Sequence, residues 1–187
     1  EEWFKVLIHE LFHRLSLDFS TMNIDKESKI LLNEFGYKST YIIYETYTET
    51  WARIFNVIIP SFYITENREK FIHIFYILIN IERNFALIQS NLILKRFKTI
   101  ADYKEDSNVF CYYILTAALM NDYLKFILWC ADNNNNLIKF KTTDINLRSF
   151  TKLLIQQFNS ENFKKNLICI NKLPNKNGDS LRMTIVE

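Results

Sequence analysis

Apolar residues recur at every third or fourth position over most of this 187-residue chain, the rhythm of amphipathic helices rather than of strands. In the first segment Phe4, Leu7, Ile8, Leu11, Phe12 and Leu15 keep that spacing and predict a helix over 2–19 that begins without a side-chain cap. A loop holding Asn23, Asp25 and Ser28 follows, then a short helix near 29–35 that closes at Gly36, a residue suited to the position just past a helix end. Ser39 or Thr40 can cap the next helix, which runs through Tyr44, Glu45, Glu49, Arg53 and Phe55 until Pro60 stops it. Thr65, with Glu66 and Glu69 behind it, opens a long helix to about Phe97, and Ser107 caps another to about Ala131. The asparagines at 133–136 read as a solvated loop. Helices near 147–158 and 161–173 precede a turn at 174–178, and 181–186 reads as a lone extended strand or a tail. The expectation is one domain over 1–187, mainly α, with many helices and little or no β.

Composition narrows the functions open to such a chain. Glycine and proline number two each, against about 12 per cent in average proteins, so glycine-rich phosphate loops, dinucleotide fingerprints and tight hairpins are excluded. The 16 Phe, 10 Tyr and 3 Trp supply a large core. With a net charge of +2 there is no field to recruit nucleic acid, and no nucleic-acid partner is expected. Cys111, Cys130 and Cys169 are odd in number, widely spaced and set in apolar helical stretches, which fits core residues of an intracellular, reducing compartment. The longest uninterrupted apolar runs are about a dozen residues, below the roughly 20 that span a bilayer, and the acidic opening at Glu1 and Glu2 is unlike a signal peptide. The heavy use of Asn, Ile, Lys and Phe is that of an AT-rich coding sequence, such as those of some large DNA viruses or protists.

The chemistry is concentrated in His9-Glu10-Leu11-Phe12-His13, an HExxH motif on the first amphipathic helix. At i and i+4 the two imidazoles project from one helix face about a turn apart, as two ligands of one tetrahedral zinc ion require. Glu10 sits roughly 100° further round the helix, where it can act on a water as general base without ligating the metal. A catalytic zinc needs a third protein ligand. The metzincin extension would place glycine at 16 and His or Asp at 19, but Ser16 and Phe19 stand there. A glutamate from a second helix is the alternative, and Glu45 and Glu49 offer two at i, i+4 spacing.

In these residues the chain resembles the gluzincins, the HExxH metallopeptidases that include thermolysin-like proteases and zinc aminopeptidases. Glu49-Thr50-Trp51-Ala52 matches the Glu-x-x-Ala part of their ligand helix, with Thr48 in place of an Asn, and the resemblance covers roughly the first 55 residues. It implies zinc held by His9, His13 and Glu49, Glu10 as general base, and a peptide or protein as substrate. Glu45 is left as the alternative ligand, or as a residue behind the ligands. Asp18 is a candidate to fix a histidine tautomer. A Tyr or His that stabilises the oxyanion is implied as well, with Tyr41, Tyr44, Tyr47 and His73 as candidates; among apolar neighbours, His73 also reads as a buried core histidine.

The resemblance further implies an upstream sheet beside the HExxH helix, whereas eight residues precede His9 here. The chain is therefore expected to be the later part of a longer protein, or part of a larger assembly, and to bind zinc with little peptidase activity alone. The rival reading is a helical structural or interaction protein that retains a zinc site without turnover or has lost it. Glu49 pairing with Arg53 while Glu45 faces water is the form the site takes on that view.

Overall fold

The computed structural model describes residues 2–65, 67–96, 102–105, 107–172 and 181–186. The fold is mainly α, and no strand occurs among the described residues. In chain order they form α1 (Trp3–Arg14), α2 (Asp25–Phe35), α3 (Ile43–Ile64), α4 (Arg68–Lys95), a π-helical turn (Phe110–Leu115), α5 (Thr116–Asn121), α6 (Tyr123–Asn133), α7 (Asp144–Phe158) and α8 (Glu161–Asn171). An isolated parallel bridge joins Lys38 and Lys104.

α3 is the axis of the molecule. It packs against α1 on one flank, α4 on another, and the π-helical turn and α5 besides, so that every residue from 46 to 54 is buried. A helix covered on all sides is ordinarily apolar all round, yet this one carries Thr46, Glu49, Thr50 and Arg53 inward. Their polar groups are answered locally: Thr46 donates to the Cys111 carbonyl at 3.2 Å, Thr50 to the Thr46 carbonyl at 2.7 Å, and Arg53 to Glu49 at 3.1 Å. Below this polar centre lies an aromatic core in which Phe19 stacks on Phe140 at 4.1 Å and Tyr47 meets Phe150 edge-on at 5.6 Å.

Several boundaries differ from those the sequence predicts. α1 ends at Arg14, not Phe19, because Ser16 takes a left-handed conformation (φ 51°) and the Leu17 carbonyl turns away to accept from Phe140 N at 2.8 Å. That early stop swings Asp18 back toward the helix it follows. α2 begins at Asp25, ahead of the expected start, and α3 begins after Ile42 rather than at a Ser39 or Thr40 cap. Pro60 lies inside α3 instead of ending it; Ser61 Oγ, bonded to the Val57 carbonyl at 2.7 Å, shows the helix carrying on past it. α4 is capped by Asn67, which accepts from Glu69 N and Lys70 N, rather than by Thr65. The helix expected over 107–131 is broken: α6 turns 91° away from the segment before it, at Asp122, which caps it. Asn134 and Asn136 are bonded rather than merely solvated, Asn134 to the Tyr47 hydroxyl and Asn136 to the amides of Ile138 and Lys139. Cys169 is exposed, whereas Cys111 and Cys130 are buried as expected. The helix ends at Phe97 and Leu173 and the turn at 174–178 lie outside the described residues. By length and composition α4 is long and apolar enough to cross a membrane, although no apolar run in the sequence reaches that length uninterrupted.

Gly36 closes α2 with φ 73° and returns its N–H to the Leu32 carbonyl. Only glycine takes that conformation without a Cβ clash, so Gly36→Ala is expected to destabilise the fold by about 1 kcal/mol, read from denaturant midpoints. An unchanged midpoint would show that the chain can leave α2 by another route.

Candidate metal centre

α1 and α3 pack so that the HExxH face of one meets the glutamate face of the other. His9 Nε2 lies 3.0 Å from Glu45 Oε2, His13 Nε2 lies 3.4 Å from the same oxygen, and the two Nε2 atoms are 3.1 Å apart. Three donor atoms on two helices therefore converge on one point.

On the far side of each ring a carboxylate holds Nδ1. Glu49 Oε2 is 3.2 Å from His9 Nδ1, and Asp18, brought round by the early end of α1, contacts His13 Nδ1. A carboxylate only accepts, so each Nδ1 carries its hydrogen and each Nε2 is turned toward Glu45. Asp18 is held in turn by the amide and hydroxyl of Ser20, at 3.2 and 3.0 Å.

The structure thus separates the two glutamates differently from the sequence reading. Glu45, half-buried, stands among the convergent donors; Glu49, fully buried, stands behind His9, where Lys5 donates to both its oxygens at 3.0 and 2.8 Å and Arg53 donates at 3.1 Å. Two cations on Glu49 leave it committed to them and to His9. The Glu49–Arg53 pair named under the rival reading is present, but Glu45 does not face water.

These contacts set the charge states. The Asp18 and Glu45 hydrogen bonds raise His13 to about 10 against the opposing effect of burial. Burial works to lower His9, and its bonds to Glu45 and Glu49 outweigh that and raise it. Burial would push Glu45 up, but His13, His9 and Tyr112 hold it down to about 2. Glu49 is likewise held below the usual carboxylate range, against full burial, by His9, Lys5 and Arg53. The carboxylates of Asp18, Glu45, Glu49 and Glu82, four in all, face the fixed cations Lys5 and Arg53, two in all, leaving a formal −2 before any histidine is charged. Two protonated imidazoles cancel that charge in the metal-free protein, and one divalent cation would cancel it with both imidazoles neutral, as ligands must be.

Glu10 is exposed on the outer face of α1, which it shares with Trp3, Val6, Leu7 and Leu11. Tyr44 is half-buried, its ring edge-on to His13 at 6.2 Å, and it lines an open groove of about 810 Å³ with Ser20, Met22, Ile24, Ser28 and Thr40. Tyr41 and Tyr47 are turned into the core instead: Tyr41 donates to the Tyr37 carbonyl, and Tyr47 to the Ile138 carbonyl at 2.9 Å. His73 is an exposed residue of α4 rather than a core histidine, and it stands outside the cluster.

Two residues that the sequence reading passed over belong to the site. Lys5 lies one turn before His9 on the same face of α1, and that register was its one available signal. Tyr112 packs on His9 with ring centroids 5.9 Å apart and lies near Glu45; burial and that carboxylate raise its hydroxyl pKa. It comes from the π-helical turn, whose widened ring is steadied by Thr116 and Thr46 donating to the Cys111 carbonyl. Comparisons with protein-family models, with curated proteins and with solved structures find no match.

Proposed function

We propose that this chain is a zinc-dependent peptidase centred on His9, His13 and Glu45. The observation that carries the reading is the spacing of their donor atoms. Ligands about 2.0–2.1 Å from a tetrahedral zinc lie about 3.3 Å from one another, and these stand 3.0, 3.1 and 3.4 Å apart. Two imidazoles and one carboxylate suit zinc and leave a fourth position open, the pattern of a catalytic site rather than a structural one. When bound, zinc would polarise the scissile carbonyl and make a water acidic enough to attack near neutral pH.

The chain's own groups do the rest. Glu49 and Asp18 hold the imidazoles with Nδ1–H outward, and the Tyr112 ring packs against that of His9. The HExxH resemblance gives Glu10 the role of general base; its carboxylate lies on the exposed face of α1, so that role requires a water reached from the solvent side of the helix. The groove lined by Tyr44 runs beside the cluster, which Tyr44 meets through its edge-on contact with the His13 ring.

The test is the metal content of the purified protein after dialysis against zinc. About one zinc per chain is expected, lost in His13→Ala and in Glu45→Ala and retained in Glu10→Gln. Full zinc retention in Glu45→Ala would return the third-ligand role to another residue. Zinc bound by the wild type without chelator-sensitive cleavage of any unfolded protein would favour the non-catalytic reading.

A further inference from the structure

Residues 181–186 cross the start of α1 and the middles of α3 and α4, bending at Met183 and Ile185, and are held by their main chain. Gln89 accepts from Arg182 N at 3.1 Å, and Glu2 accepts from Met183 N and Thr184 N at 2.6 and 3.1 Å. Glu82 Oε2 accepts from Ile185 N at 3.1 Å, and Asn56 donates to the Val186 carbonyl at 2.6 Å. Consecutive amides from 182 to 185 are each taken by a side chain, an unusual investment for a segment with no sheet to join. Its side chains reach further in. The Thr184 hydroxyl, 1 % exposed, donates to Glu82 Oε2 at 2.8 Å and accepts from Asn56 at 3.1 Å, while Met183 Sδ accepts from Lys5 at 3.4 Å.

These contacts end on the groups that stand behind His9. Glu82 uses its other oxygen to receive Arg53 at 3.1 Å; Arg53 donates to Glu49; Glu49 holds His9 Nδ1. Lys5 provides a second, shorter route from Met183 to Glu49. Lys5, Glu49, Arg53 and Glu82 are all fully buried, so each carboxylate oxygen needs its full set of donors and none can be replaced by water without opening the cover.

We infer that segment 181–186 is part of the metal centre, with Thr184 and Glu82 as positioning residues that act through Arg53 and Glu49 on His9. This rests on the proposed zinc site. With the Thr184 hydroxyl and the Ile185 amide on Glu82 Oε2, Glu82 is held in one orientation and Arg53 is shared between the two carboxylates. Without them Glu82 turns, Arg53 follows it, and the grip of Glu49 on the His9 ring loosens. The segment thereby sets how well His9 is aimed before any metal arrives.

Thr184→Val keeps the shape and deletes the hydroxyl; Thr184→Ser keeps the hydroxyl. Zinc affinity of the full chain, measured by competition with a chromophoric chelator, is expected to fall about ten-fold in Thr184→Val, in line with the 10–100-fold cost of losing a partner behind a ligand, and to recover in Thr184→Ser. The His9 imidazole ¹⁵N resonances of the metal-free protein should shift with the valine variant and return with serine. A valine variant that binds zinc like wild type, even with a lowered melting temperature, would reduce the segment to a structural role and overturn the inference alone. A wild type that binds no zinc, with His13→Ala indistinguishable from it, would overturn the metal reading and this one with it.

Discussion

Glu49→Ala is expected to cost about 3–5 kcal/mol of folding stability, because it leaves Lys5 with no carboxylate and Arg53 with one in a region that water does not reach. For a domain of this length that lowers the melting temperature on the order of 10 °C. Glu45→Ala removes the carboxylate that His9 and His13 share, from a half-buried position that neither Lys5 nor Arg53 touches, so with a chelator present its melt should fall by less than that of Glu49→Ala. The two glutamates, one turn apart, are thus distinguished by different measurements: melting in chelator for Glu49, metal content for Glu45. Lys5→Met combined with Glu49→Met should regain much of the lost stability, since removing both members of a buried pair deletes the desolvated charges along with their attraction. Equal melts for Glu49→Ala and wild type would show that Lys5 and Arg53 find other partners, and that Glu49 is not the anchor of the buried charge network.

Glu10→Gln should lower peptide hydrolysis by about 10²–10⁴-fold at unchanged zinc content. The substitution keeps the size of the side chain and removes only its capacity to accept a proton. Glu10 is exposed and outside the convergent donors, so neither the fold nor the His9, His13 and Glu45 cluster depends on it. The comparison is a ratio of rates on one quenched peptide substrate, with zinc measured on the same samples, so it holds however slow the wild type is. Loss of zinc in Glu10→Gln would make Glu10 a ligand. Equal rates would place the base elsewhere, and Tyr112 and Asp18 would then be the nearest groups to examine.

Much of this site is legible in the chain because its parts are local. His9, Glu10 and His13 are related by helical periodicity alone, and any helix through them puts the two imidazoles together. Glu45 and Glu49 are legible in the same way as a pair on one face of one helix, and so is the Glu49–Arg53 contact. Their division of labour is not. An i, i+4 pair offers two equivalent carboxylates, and which one meets the Nε2 atoms of the two histidines depends on the axial offset of α3 against α1. Lys5 marks that offset in the structure by occupying Glu49 from the α1 side.

The limits of the local signal are equally physical elsewhere. Pro60 removes one N–H and crowds the carbonyl of Asn56, and α3, anchored by its buried residues 46–54 and by Ser61, carries on one turn past it. The end of α1 at Arg14 is set by the pull of Phe140 and the aromatic core on residues 17–19, a demand made from more than a hundred residues away.

What the sequence determined by itself is the helical class, the two-histidine face with its flanking glutamate, and the helix that supplies the acidic partner, all consequences of spacing along a 3.6-residue turn. The tertiary structure alone decided that Glu45 rather than Glu49 joins the histidines, that Tyr112 reaches Glu45 from a π-helical turn, and that residues 181–186 close over the charges behind His9. Those are contacts between segments 32 to 182 positions apart, fixed by how helices of given shape can pack and by the cost of leaving a buried charge without its partners.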